Sequence, residues 1–221
     1  MSQGADATVP ALAKSAVLEN NVAYLRVSHV GPNLSQEILS AQTALAATNK
    51  IAGTVLDLRF ADGEDSMAGQ AVESSLASGK SPLAILINAG TRGAAAKLAA
   101  DLRDTRPCLI LGNPARNLQP DITISLNAGA EKGFLDNPFG TLPQSETNSD
   151  ATTNDFLPFI DHTSEADLVR AKIKDGDQDE SMQPERAAGP PTPFIRDPVL
   201  ARAVDLIKGL EIVRESQSKK M

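Results

Sequence analysis

Few residues of this chain could serve as nucleophile or base. Thr91 and Lys97 offer a hydroxyl and an amine, the pair in which a lysine deprotonates an alcohol for acyl attack. They stand six positions apart where a helix is expected, which sets them on different faces. Ser28 and His29 are adjacent, and the second histidine is His162. A Ser-His-Asp triad is defined by geometry and not by order, so it stays open here without a motif to support it. Gly90-Thr-Arg-Gly93 sits between an apolar run and a helical one. Backbone amides at such a helix start, with Arg92 beside them, could hold a phosphate or an acyl-CoA. The dinucleotide fingerprint fails at Asn88, where Gly is required, and at Asn113, where an acid should end the next strand. A tight turn that packs a helix closely on a sheet accounts for the same residues.

The remaining candidates have simpler readings. Asp175-Gly-Asp-Gln-Asp-Glu180 would need Gly at its sixth position and Glu at its twelfth to bind calcium, and holds Glu180 and Arg186 there. It reads as a solvated acidic turn, and neither a metal site nor a cofactor is expected. Asp57 and Arg59 flank Leu58 on an apolar strand, where an ion pair or backbone hydrogen bonds would satisfy them. Cys108, the one cysteine, reads as a small core residue and cannot form an internal disulfide.

These residues are positioned by alternating elements. Strands are expected at 22–27, 53–59, 82–88, 108–112 and 121–125. Helices are expected at 34–49, from Ser66, from Ala94, at about 164–174, and from Asp197-Pro198, with Asp as N-cap and Pro at the first helical position. Val199, Leu200, Ala203, Val204, Ile207 and Leu210 would form one face of the last helix. Asn33 and Gln36 fit a capping box at the start of the first. Near-continuous apolar strands alternating with helices predict an α/β fold with a mostly parallel sheet covered by helices.

Composition narrows the function. The 221 residues carry 21 Lys and Arg against 28 Asp and Glu, and no Trp with only one Tyr and six Phe. An acidic chain so poor in aromatics lacks the charge and stacking surfaces of a nucleic-acid binder. No apolar run reaches the roughly 18–20 residues of a membrane span. The acidity is local: positions 134–196 hold 5 basic and 12 acidic residues, against 11 and 12 in positions 1–133. The expected layout is an irregular arm at 1–21, a core at 22–133, a long acidic loop at 134–196, a helix at 197–215 packed on the core, and a tail at 216–221. Phe134, Phe139, Phe156, Phe159 and Phe194 lie in or beside the loop. They would staple it to the core or anchor a partner. The first ten residues show no signal-peptide pattern, although a chain exposed by removal of a leader would read the same.

The order of motifs resembles the carboxy-terminal-processing (tail-specific) serine peptidases. Val22-Ala-Tyr-Leu-Arg-Val27 is similar to that family's "IGYIRL" strand, and Val55-Leu-Asp-Leu-Arg-Phe-Ala-Asp-Gly63 to its "LDLRNNPGG" strand and turn. Leu86-Ile-Asn-Ala-Gly-Thr-Arg-Gly-Ala-Ala-Ala-Lys-Leu98 resembles "LVNGGSASASEI". Asp104-Thr-Arg-Pro-Cys-Leu-Ile-Leu-Gly112 resembles "DNGRATVVG", and Asp197-Pro-Val-Leu-Ala-Arg-Ala-Val204 resembles "DPQLEKAL". The resemblance covers about 22–125 and 197–210. It implies a Clp-protease/crotonase-like spiral of strand–strand–helix units. It also implies an exported or periplasmic protein if a leader has been removed, and a cytoplasmic one otherwise.

The same resemblance implies a missing active site. The family's nucleophilic serine falls on Gly93 and its glutamate on Ala96. Its general-base lysine falls on Leu118. In a second alignment, Leu118-Gln-Pro-Asp-Ile-Thr-Ile124 matches a later segment and the lysine hairpin is deleted. Gly63 of the oxyanion turn survives, and Glu64 replaces the following glycine. The expectation is a catalytically inactive relative that binds a peptide or protein partner, or serves as an assembly subunit, around Gly63, Glu64, Gly90, Thr91, Arg92 and Gly93. An active serine-type peptidase with a rearranged site, and a small-molecule binder at Gly90–Gly93, are the alternatives. Self-association is left open.

Overall fold

The computed structural model describes residues 10–77, 81–140 and 194–218. Its centre is one six-stranded sheet with the strands in chain order. They are β1 (Leu12–Leu18), β2 (Val22–Val27), β3 (Gly53–Asp57), β4 (Leu83–Ile87), β5 (Leu109–Gly112) and β6 (Ile122–Thr123). Strands β2 to β6 are parallel, and β1 pairs antiparallel with β2. The helices are α1 (Leu34–Thr48), α2 (Ser66–Ala77), α3 (Ala94–Thr105), α4 (Ala128–Asp136) and α5 (Pro198–Ser218). The α/β class with a mostly parallel, helix-covered sheet is therefore as expected. Strand–strand–helix units open and close the sheet, with strand–helix units between them.

The period of two along each strand decides which layer a residue enters. Leu25, Val27, Leu56, Leu58, Ile85, Ile87 and Ile110 point to one face, where Leu34 and Ile38 of α1, Val72 of α2 and Leu98 and Leu102 of α3 cover them. Val22, Tyr24, Val55, Ala84, Leu86 and Leu111 point to the other, against Val199, Leu200, Ala203, Val204 and Ile207 of α5. Successive crossovers share one hand, so α1, α2 and α3 land on the same face and the chain advances as a spiral. α5 then seals the face that the crossovers leave open.

Several sequence expectations are corrected. Part of the supposed irregular arm is β1, an edge strand whose residues are half-buried or exposed and so lack a clear apolar alternation. The capping box does not form: Asn33 is helical in conformation and caps nothing with its side chain. Backbone bonds from Leu34 N–H to Gly31 O and from Glu37 N–H to Asn33 O close that turn instead. The strand expected at 121–125 shortens to Ile122–Thr123. Helix α5 runs on to Ser218, and Leu210 is 44% exposed because the helix outlasts the sheet beneath it. Phe134 and Leu135 are buried in α4, so position 134 continues a helix of the core. Phe139 and Phe194 are exposed. The expected helix at 164–174, His162, Phe156, Phe159 and the Asp175–Glu180 turn lie outside the described residues.

Candidate functional site

The C-terminal ends of parallel strands are where α/β folds place their sites, and here three loops meet there. The loop after β3 carries Gly63, the loop after β4 carries Gly90–Gly93, and the loop after β5 carries Ala115–Leu118. Gly93 has φ of 59°, reachable only by a residue without Cβ at its ψ of -135°. A Cβ built there would lie 2.1 Å from the Gly63 carbonyl oxygen. That oxygen accepts from Ala94 N–H at 2.6 Å. The two glycine-bearing turns are thus in direct backbone contact.

Other amides of the Gly90–Gly93 turn are also taken. Gly90 N–H donates to Asn88 Oδ1, Thr91 N–H to Asn88 O, Arg92 N–H to Ala61 O and Ala95 N–H to Arg92 O. Thr91 is buried, with its hydroxyl donating to Leu58 O at 2.8 Å and accepting from Asn88 N–H at 3.0 Å. Such a hydroxyl locks a turn and is sealed from substrate. Lys97 is exposed on α3, 2.6 Å from Asp101. Its hydrogen bond to Asp101 raises the amine's pKa, whereas a general base needs a lowered one.

Beside these turns is a hollow of about 480 Å³, lined by Arg92, Gly93, Ala96, Lys97, Ala100, Arg116, Asn117 and Leu118. The structure thus gathers the positions that the resemblance assigns to nucleophile, glutamate and base, namely Gly93, Ala96 and Leu118, around one space. None of the three offers a group that can transfer a proton. Leu118 is buried, and its backbone exchanges hydrogen bonds with Ala115 across a short turn in which Asn117 has φ of 64°. Asn tolerates that conformation better than most residues. The turn presents Arg116 to the hollow. Of the other expected residues, Gly90 lies behind the turn against the Phe60 ring, and Glu64 is exposed and does not line the hollow.

Two buried polar clusters support the strand ends. Arg59 Nη2 lies 2.7 Å from both Asp57 Oδ2 and Asp197 Oδ2, with no exposure of any of the three side chains. Tyr24 donates its hydroxyl to Asp57 at 2.8 Å, and Asp197 Oδ1 accepts from Val199 and Leu200 N–H as the cap of α5. The Asp57–Arg59 pair expected from sequence is therefore present and extended. The second cluster is Glu131, which accepts from Asn88 Nδ2 at 2.7 Å and Asn113 Nδ2 at 2.9 Å. Sequence reasoning passed over Glu131 and Arg116. The signal for Glu131 was a pair of asparagines ending adjacent apolar strands, whose amides must find acceptors if buried. Ser28 donates to the Pro10 and Ala11 carbonyls and lies 3.4 Å from His29 Nδ1. Cys108 is half-buried beside the core, and burial raises its thiol pKa. Among the described residues no group of His, Cys, Asp and Glu could hold a metal, and no helix is long and apolar enough to cross a membrane.

No family model and no curated protein matches the sequence. Among solved structures the chain is similar to the photosystem II D1 C-terminal processing protease, at 27% identity and a TM-score of 0.39, over 45% of this chain and 33% of that one. It is similar to a peptidase from Parabacteroides merdae at 10% identity and a TM-score of 0.46, over 54% of this chain and 59% of that one. It is also similar to a protease from Bacteroides fragilis at 13% identity and a TM-score of 0.43, over 76% of this chain and 59% of that one. The chain therefore spans between a third and three fifths of the length of these three proteins.

Proposed function

We propose that this chain is a non-catalytic domain of the tail-specific-peptidase type that holds a peptide or protein segment in the hollow beside α3. The observation that carries this reading is the contact between the two glycine turns. A serine at position 93 would have its Cβ 2.1 Å from the Gly63 oxygen, where no side chain fits. The Ala94 N–H at the start of α3, suited to an oxyanion, is already bonded to that same oxygen. Among the described residues no hydroxyl and no unpaired amine lines the hollow, so none of them offers a nucleophile for an acyl intermediate. The apolar floor of Gly93, Ala96, Ala100 and Leu118 leaves binding as the chemistry available.

On this reading the six-stranded sheet with α1 to α4 and the closing helix α5 is the binding body. The test is labelling with a serine-reactive fluorophosphonate together with a peptidase assay on unstructured peptides. The expected result is neither labelling nor turnover. Labelling or turnover that Thr91→Ala abolishes would establish a working peptidase with a rearranged site. The phosphate or acyl-CoA reading at Gly90–Gly93 is weakened by the occupied amides. Stabilisation by millimolar nucleotide or acyl-CoA in a thermal-shift assay would restore it.

A further inference from the structure

Two of the three cations around the hollow have no bonding partner among the described residues. Lys97 is held by Asp101. Arg92 and Arg116 line the hollow and are exposed, and neither guanidinium has a hydrogen bond or ion pair among the described residues. Among the other described arginines, Arg202 of α5 is likewise exposed without a bond and Arg196 lies over the Phe194 ring, while four of the core are committed. Arg26 donates to Leu135 O, Arg59 to Asp57 and Asp197, Arg103 to Asp121 and Gln119 O, and Arg106 to Leu76 O and Ser81 O. No acid among the described residues lines the hollow. Its volume of about 480 Å³ falls in the range of ligand sites, roughly 300–1,000 Å³.

The kind of anion follows from what surrounds these two arginines. A guanidinium fork suits a phosphate or a carboxylate, but a free phosphate gains most where unpaired backbone amides at a helix start join it, and here most of those amides bond to the protein. A guanidinium fork matches a carboxylate without help from amides. Ala96, Ala100 and Leu118 line the same hollow as the two forks, which suits a carboxylate carried on a body with a small aliphatic group. We infer that the hollow selects acidic peptide segments, in which a carboxylate meets Arg92 and Arg116 while a neighbouring aliphatic side chain rests on Ala96, Ala100 and Leu118. This rests on the peptide-binding reading above and adds the charge of what enters.

The test uses the 221-residue chain and fluorescein-labelled octapeptide pools, read by anisotropy at physiological salt. One pool is random in Ala, Leu and Glu, a second in Ala, Leu and Gln, both with blocked ends, and a third is the Gln pool with a free C-terminus. The Glu pool is expected to bind about tenfold tighter than the blocked Gln pool. Arg92→Gln and Arg116→Gln should each weaken the Glu pool by up to about fivefold, the scale of an exposed ion pair, and leave the blocked Gln pool unchanged. Both side chains are exposed and unpaired, so neither variant disturbs folding. Arginine-dependent gain in the free-ended Gln pool alone supports carboxylate recognition and identifies the chain end as its source. Equal binding of all pools overturns the charge selection and leaves the peptide reading standing. No binding of any pool at millimolar protein overturns both.

Discussion

Replacing Gly93 by serine puts back the residue type that the resemblance assigns to the nucleophile, and it should damage the fold without creating activity. The native φ of 59° with ψ of -135° is a region that L side chains avoid, at a cost of about 1–3 kcal/mol. The new Cβ begins 2.1 Å from the Gly63 oxygen, so the two backbones must separate by roughly 1 Å before contact becomes tolerable. That separation breaks the 2.6 Å bond from Ala94 N–H to Gly63 O, worth about 0.5–1.5 kcal/mol. Gly93→Ser and Gly93→Ala should therefore each lose about 2–4 kcal/mol in urea unfolding at equal m-value. Gly209→Ala is the matched control. It lies inside α5, and a Cβ added there would meet nothing within 4 Å, so it should gain about 0.5–1 kcal/mol from helix propensity. Gly93→Ser should also remain unlabelled by fluorophosphonate. Wild-type stability in Gly93→Ser, or its labelling, would refute the claim that the turns are closed on each other.

Two further outcomes follow from the buried ion cluster. Burial first, and Asp57 second, raise the Tyr24 phenol above its ordinary 10.0. The unfolded chain then loses this proton first, so the contribution is complete below pH 10 and declines as pH rises beyond it. Wild-type stability relative to Tyr24→Phe should fall by up to about 1.4 kcal/mol per pH unit there, and parallel curves to pH 11 (about one unit beyond) would contradict it. Asp197 both caps α5 and pairs with buried Arg59. Asp197→Ala should cost about 3–5 kcal/mol, and Asp197→Asn about 1.5–3 kcal/mol because one oxygen can serve only one of the two tasks well. A loss below about 1 kcal/mol in the alanine variant would sink this account.

What could be read from sequence was what depends on neighbours in the chain. Pro82–Ile87 is apolar without interruption, so a strand buried on both faces was legible, and β4 is buried throughout. Asp197-Pro198 was legible as a helix start for the same reason. The bond from Arg59 to Asp197 was not, because 138 residues separate them. β1 was missed because an edge strand needs little apolar alternation when one face is only half covered. Gly93, Ala96 and Leu118 stand out through the order of motifs, yet nothing local says that they share a hollow. Arg116 was invisible as a lining residue because its direction is set by a turn whose key is the positive φ of Asn117.

The glycine contact also bears on whether these turns could admit a serine-type site at all. Gly63 has φ of 135°, and a Cβ there would lie 2.6 Å from Val30 O and 2.8 Å from Val30 N. Val30 N–H in turn donates to Asp62 O at 2.8 Å. Three segments, around Val30, Gly63 and Gly93, are therefore stacked by backbone contact, each admitted by the lack of a side chain on the next. A serine and an oxyanion need a gap between the second and third, about the width of a carbonyl group. Opening that gap would press Gly63 towards Val30, where there is no slack to take it up. A nucleophile or an oxyanion turn placed here would have to wait on moving this stack. The exposed arginines around the hollow carry no such constraint, so side-chain changes there should leave the stack intact.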